Sequence, residues 1–240
     1  MTAVAGLGTI LGVFAHPDDE TYLTGGLMAL AARAGQRVAC VTATRGEAGE
    51  SADPQRWPTD RLAEIREGEL ARCFEILGVG EHEWLDYPDG GLAQVDPGPA
   101  VDAIAAVIER VGPDTVLTFG PDGMTDHPDH KTVFAWTAEA FARVAPSSRL
   151  AVATKTPEWV VEFADLNEGV FPQGLPPVTP RDDLIVDVTL PDDVLELKVR
   201  ALEAQASQTT GLIEGVGRER YAQWVRHETF GPAPAPPITP

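Results

Sequence analysis

Basic residues are scarce in this chain. Against 37 Asp and Glu stand 18 Lys and Arg, a formal net charge of −19 at pH 7. Nucleic-acid binding needs a basic face that neutralises phosphates, so this balance disfavours nucleic-acid partners. It equally disfavours electrostatic docking on anionic membranes. Cysteine is nearly absent, with only Cys40 and Cys73. Neither has metal-type spacing, and they read as small buried hydrophobes rather than a disulfide framework. That fits a reducing, cytoplasmic setting. No window holds about 18 uninterrupted apolar residues, so no transmembrane helix is expected. The first residues lack the charged start and apolar stretch of a signal peptide. A Gly-x-Gly-x-x-Gly turn is missing as well, which leaves a nucleotide-binding reading without its phosphate loop.

What is present is an alternation of apolar runs and helical patterns. Residues 8–15 read as a buried strand halted at His16-Pro17. Residues 23–34 read as a helix closed by Gly35, and residues 37–44 as a second strand. Together these make a βαβ unit with parallel pairing. Residues 51–60 are polar and proline-containing, an exposed excursion. A helix capped by Thr59 or Asp60 runs to about Leu77 and stops at Gly78. Further strands are expected at 82–85, 114–119, 150–155 and 184–189, and further helices at 99–111, 131–145 and 193–207. Residues 165–182, rich in Pro and Gly, read as irregular. The pattern is an α/β fold, with one domain over residues 1–230 and a proline-rich, disordered tail over 231–240.

Two runs stand out. Ala15-His16-Pro17-Asp18-Asp19-Glu20 follows the first strand, and His127-Pro128-Asp129-His130 comes more than a hundred residues later. They hold three of the five histidines. Both follow the carboxyl end of an expected strand, the edge where open α/β sheets bind ligands. His16 and Asp19 are three apart, as are His127 and His130, so each pair shares a face if its turn is helical. Two histidines and a carboxylate, with one position open to water, suit a catalytic zinc site. A lone histidine is more often a core or surface residue, and His82 and His227 are read that way. Asp129 either orients a histidine or caps the helix that follows it. Glu20 reads as a first-turn carboxylate favoured by the helix dipole.

These runs resemble the paired signatures of the LmbE-like, PIG-L-type zinc deacetylases. The resemblance extends to Thr44-Arg45-Gly46-Glu47-Ala48-Gly49, Arg66-Glu67-Gly68-Glu69-Leu70, Leu85-Asp86-Tyr87-Pro88-Asp89-Gly90 and residues 198–208, most of 8–210. It implies a Rossmann-like three-layer fold with a mainly parallel central sheet. It implies removal of the N-acetyl group from a small N-acetylglucosaminyl substrate, such as one carrying malate or inositol. By the same resemblance His16, Asp19 and His130 hold Zn2+, or Fe2+, which the same ligands accept. Asp18 is then the general base, and His127 faces the substrate carbonyl. Arg66, Asp89 and Arg45 are candidate substrate contacts. The family often forms rings, so the resemblance allows a homo-oligomer, but the sequence does not set the oligomeric state. The chain departs from some members at Thr125, where they carry an aromatic residue, and at Gln205, where relatives often have His.

Two other readings stay open on the sequence. One is an amidase that cleaves a larger acyl group from a glucosaminyl conjugate. The other is a sugar- or metal-binding protein without turnover, which the presence of both Asp18 and His127 disfavours.

Overall fold

The apolar run at the front of the chain becomes the central strand of a seven-stranded sheet. The computed structural model describes residues 3–171 and 175–234. In chain order, strand β1 (Ile10–Phe14) is followed by helix α1 (Asp19–Arg33), β2 (Val38–Thr44), α2 (Leu62–Leu77), β3 (Glu81–Tyr87) and α3 (Pro97–Val111). Then come β4 (Thr115–Thr118), a short helix α4 (Gly123–Asp126), α5 (Pro128–Val144), β5 (Arg149–Thr154), α6 (Pro157–Glu162) and α7 (Ala164–Val170). The chain continues through β6 (Val186–Thr189), α8 (Asp192–Ala204), α9 (Ala206–Val216), α10 (Arg218–Val225) and β7 (His227–Pro232). No helix among the described residues is long and apolar enough to cross a membrane.

The strand order is β3-β2-β1-β4-β5-β7-β6. The first five are parallel, and β7 runs antiparallel to both β5 and β6. Every residue of β1, β2 and β4 is buried, as expected of parallel strands covered on both faces. One group of helices, α1, α2 and α8, packs together, and a second group pairs α3 with α5. The chain steps from β1 outward to β2 and β3, then returns to place β4 on the other side of β1. That reversal opens a crevice beyond the carboxyl ends of β1 and β4. Both histidine runs follow these two strands.

The helix ends carry the expected stops. Gly78 and Gly112 take left-handed conformations after α2 and α3, and Asp96 caps α3 by accepting from Gly98 N at 3.1 Å. Two helices start earlier than their apolar periodicity suggests: α1 begins at Asp19 rather than Leu23, and α5 at Pro128 rather than Lys131. In both, the first turn is built from the charged residues of the site.

The carboxyl-terminal third departs most from expectation. The helix expected at 193–207 breaks at Gln205, and α9 and α10 continue beyond it. The segment 165–182 is not wholly irregular, because α7 occupies its start. β7 was not foreseen, and it absorbs Gly231 and Pro232, so the proline-rich tail begins later than 231. Residues 235–240 lie outside the described residues. What fastens β7 is a buried charge. Glu228 accepts from Gly26 N and Leu27 N of α1, both at 2.7 Å, and from Lys198 Nζ of α8 at 2.6 Å. Both side chains are fully buried. Cys40 and Cys73 are free and buried, as read from the sequence.

Candidate metal centre and active site

β1 delivers His16 and Pro17 to the crevice, and Asp18 turns the chain into α1. Asp18 has φ 114°, a region an L-residue rarely adopts, which costs about 1–3 kcal/mol unless its surroundings impose it. Several contacts impose it. The Asp18 amide donates to Glu20 Oε2 at 3.1 Å, and its carbonyl accepts from Thr21 N and Tyr22 N at 3.0 and 2.9 Å. Pro17 O accepts from Arg66 Nη2, and Gly46 O accepts from Arg66 Nη1 at 2.9 Å. Arg66 thus ties the turn after β1 to the turn after β2. Gly46 lies so close that a Cβ there would sit 2.3 Å from the guanidinium.

Three side chains converge beside this turn. His16 Nδ1 lies 3.2 Å from His130 Nε2 and 3.3 Å from Asp19 Oδ2, and His130 Nε2 lies 3.3 Å from Asp19 Oδ1. Ligands about 2.0–2.2 Å from a tetrahedral ion stand roughly 3.3–3.6 Å apart, so the donor spacing fits such an ion. The remaining ring nitrogens agree. His130 Nδ1 lies 2.9 Å from Gly123 O, which fixes a proton there and frees Nε2 as a donor of electrons. His16 Nε2 faces Asp89 Oδ1 at 3.0 Å and Asp129 Oδ2 at 3.4 Å, which does the same for Nδ1. His16, His127 and His130 also have ring nitrogens within 4.8 Å of one another. The His130 ring stacks on Phe119 with centroids 4.1 Å apart.

The electrostatics favour a cation. Burial opposes a charge on His16, but Asp129, Asp19 and Asp89 outweigh it and hold its pKa well above the usual value. Burial pushes His130 down to about 4, against the pull of Asp19. Burial would raise Asp19, yet His130 and His16 hold it well below the usual carboxylate range. Asp18 is pushed up to about 7 by burial, with Arg66 opposing from 3.4 Å.

His127 is the N-cap of α5. Its Nδ1 accepts from Asp129 N at 3.2 Å, so the neutral ring carries its proton on Nε2. Its ring centroid is 4.9 Å from that of His16. Asp129 is therefore not the cap. Its fully buried carboxylate accepts from Gly90 N at 2.8 Å and Leu92 N at 3.1 Å while facing His16. Asp89 accepts from Ala48 N at 2.9 Å with its second oxygen. Thr125 Oγ1 lies 3.3 Å from His130 Nδ1. Gln205 donates to Glu20 Oε1 at 2.9 Å. Glu20 is a first-turn residue of α1, but it is fully buried and braces Asp18.

Of the three expected substrate contacts, Arg45 does not join the site. Its guanidinium binds Asp86 at 2.8 Å and Glu67, and lies 4.3 Å over the Trp84 ring. Arg66 and Asp89 do line the cleft. His82 bonds Thr42 Oγ1 at 2.9 Å and His227 bonds Asp187 at 2.5 Å, both apart from the cluster.

Two cavities meet at Asp18, Asp19 and His130. One is open and polar, about 340 Å³, bordered by His16, Arg66, Asp89, His127 and Gln208. The other, about 230 Å³, is walled by apolar side chains from α1, the turn after β4 and the carboxyl-terminal helices. Gln208 closes the stretch 198–208 that resembles the family, but nothing in its own sequence pattern marks it as a site residue, and the apolar wall carries no signal because its residues are scattered and of core type.

Residues 11–141 match the family described as PIG-L, GlcNAc-PI de-N-acetylase. The 1D-myo-inositol 2-acetamido-2-deoxy-alpha-D-glucopyranoside deacetylase of Kineococcus radiotolerans is 34% identical, over 84% of this chain and 69% of its own length. The protein of that name from Thermobifida fusca is 31% identical, over 94% of each chain. N,N'-diacetylchitobiose deacetylase from Pyrococcus horikoshii shares the fold, with TM-score 0.68 at 20% identity, over 99% of this chain and 90% of the other. So does GalB, the 4-carboxy-2-hydroxymuconate hydratase of Pseudomonas putida KT2440, with TM-score 0.66 at 21% identity, over 98% and 99%. The fold alone thus serves more than one chemistry, whereas the sequence match spans over half the chain. The chain belongs to the PIG-L (GlcNAc-PI de-N-acetylase) family.

Proposed function

We propose that this chain is a cytoplasmic, zinc-dependent N-deacetylase that acts on a small N-acetylglucosaminyl substrate, with an inositol aglycone as the leading candidate. The observation that carries the reading is the 3.2–3.3 Å triangle of His16 Nδ1, His130 Nε2 and Asp19, flanked by Asp18 and His127. The inositol aglycone comes from the names of the relatives that are 31–34% identical. Iron(II) suits the same ligands.

A divalent ion held by His16, Asp19 and His130 supplies Lewis acidity toward water and the amide carbonyl. Asp18 removes the proton from the attacking water and returns it to the leaving amine. Arg66 keeps that carboxylate in place from 3.4 Å. His127 points an Nε2–H toward the developing oxyanion without needing a second proton, a contact typically worth about 3–4 kcal/mol. The open polar cavity suits the sugar, with Asp89 at its edge, and the apolar cavity suits the acyl group.

The test is acetate release by zinc-reconstituted protein from N-acetylglucosaminyl-inositol, N-acetylglucosaminyl-malate, N,N'-diacetylchitobiose and N-acetylglucosamine, beside Asp18→Ala. Asp18-dependent release from one of them supports the reading and selects the aglycone. A protein that binds one equivalent of zinc and releases acetate from none is instead a binding protein or acts on other amides.

A further inference from the structure

The apolar cavity offers more room than an acetyl group fills. Beyond its carbonyl an acetyl group presents one methyl, whereas a cavity of roughly 150 Å³ already accommodates benzene. This one measures about 230 Å³ and opens on Asp18, Asp19 and His130. Leu23, Phe119, Met124, Phe171 and Trp224 wall it, and such a lining selects apolar chain rather than sugar hydroxyls.

One cation is set into that wall. Lys155, just past β5, is 7% exposed. Its Nζ donates to His227 O at 3.2 Å and lies 4.6 Å from the Trp159 ring centroid. An ammonium carries three donors, and among the described residues this backbone carbonyl is the one acceptor it meets. The neighbouring carboxylate, Glu228, is committed to Lys198 Nζ and to two α1 amides. Burial and the adjacent Lys198 push Lys155 down to about 7, with Glu228 opposing. A buried ammonium without its own counter-ion is unfavourable, so the side chain either gives up its proton or keeps it when an anion arrives beside it.

We propose that the apolar cavity is an acyl subsite for N-acyl chains longer than acetyl, and that Lys155 receives a carboxylate at the far end of such a chain. The inference rests on the amide-hydrolase reading above. It adds no new step: the amide C–N bond breaks, water oxygen bonds to the acyl carbon, the amine takes the proton, and a dicarboxylic acid leaves.

The experiment compares kcat/KM of the zinc-reconstituted full chain on glucosaminyl-inositol carrying acetyl, butanoyl, pentanoyl, hexanoyl, succinyl, glutaryl or adipoyl. At one chain length the carboxylate-ended substrate is expected to exceed both acetyl and its methyl-ended counterpart by about tenfold or more. Lys155→Met should erase that ratio, and because the ratio is taken within each protein it is insensitive to a general loss of activity. Lys155→Gln replaces it if the Met variant fails to fold. Preference for acetyl over every longer chain overturns the subsite while leaving the deacetylase reading intact. Preference for methyl-ended chains at every length, or a ratio unchanged in the variants, overturns the role of Lys155. Hydrolysis of none overturns both readings.

Discussion

Replacing Asp129 by Asn tests whether one buried carboxylate supports both the fold and the metal centre. The native side chain accepts from two backbone amides, Gly90 N and Leu92 N, and its Oδ2 also faces His16 Nε2 at 3.4 Å. An Asn has one oxygen, and its NH2 can only donate. Whichever way it is turned, an amide that had a carboxylate partner meets an N–H instead, at a side chain that is fully buried. Losing one charge-assisted bond and stranding one donor should cost about 2–4 kcal/mol. At about 2–4 °C per kcal/mol for a domain of this size, the metal-free protein should melt about 5–15 °C lower. Because the same oxygen helps hold His16 in the tautomer that frees Nδ1, zinc affinity should also fall about 10–100-fold. Thermal unfolding of the metal-free protein and competition against a chelator measure the two effects. Asp89→Asn is the internal contrast. Its carboxylate holds one backbone amide, Ala48 N, rather than two, so it should weaken zinc binding with a smaller change in melting. If Asp129→Asn leaves the metal-free melting temperature and the zinc affinity unchanged, the bracing role argued for this residue is wrong.

Asp18→Asn should retain zinc and lose about 10²–10⁴-fold in kcat, measured by acetate release, whereas His16→Ala should lose both zinc and turnover. Lys198→Met should destabilise the protein by about 3–5 kcal/mol in denaturant titration, because it strands Glu228 in a fully buried position, and a loss below about 1 kcal/mol would refute that account. His82 is held at about 4 by burial, below its unfolded value of 6.5, so the unfolded chain binds its proton more readily. Its contribution is complete above about pH 6.5 and is lost as pH falls toward 4, at most about 3 kcal/mol, so His82→Phe should show a shallower acid limb over that window.

The parallel half of the sheet was legible because its strands are apolar throughout and are separated by helices with glycine stops. The two site runs were legible because His, Pro and Asp at such density have few other uses. The helix starts were misplaced for the same reason. Asp18 to Glu20 and His127 to His130 interrupt apolar periodicity where α1 and α5 begin, so the function of these residues hides their secondary structure. β7 was lost because its alternation is short and ends in Gly-Pro, a pattern shared with turns and tails. Only pairing on both sides, with β5 and β6, makes it a strand. Arg45 shares a motif with site residues, but Asp86, Glu67 and the Trp84 face, all outside the cleft, take its guanidinium. Contacts of that kind join residues about 20 and 40 positions apart, which no local pattern records.

The site is thus assembled from two parts of the chain that answer to different constraints. His16, Asp18, Asp19, Asp89, His127, Asp129 and His130 all fall within the family-matching residues 11–141. The chemistry demands them together, since moving any one donor by an ångström spoils the triangle or the tautomers that support it. Most of the apolar wall, with Lys155, Trp159, Phe171, Leu212, Trp224 and Val225, lies beyond residue 141. That wall needs only volume, apolarity and a well-placed charge, which many sequences supply, so it can vary while the reaction stays the same. The antiparallel β7 couples the two parts. Glu228 anchors it to α1, whose first turn carries Asp19, and its first residue offers the carbonyl that receives Lys155. A change in this carboxyl-terminal layer should therefore alter which acyl group is accepted before it alters whether an amide is cleaved.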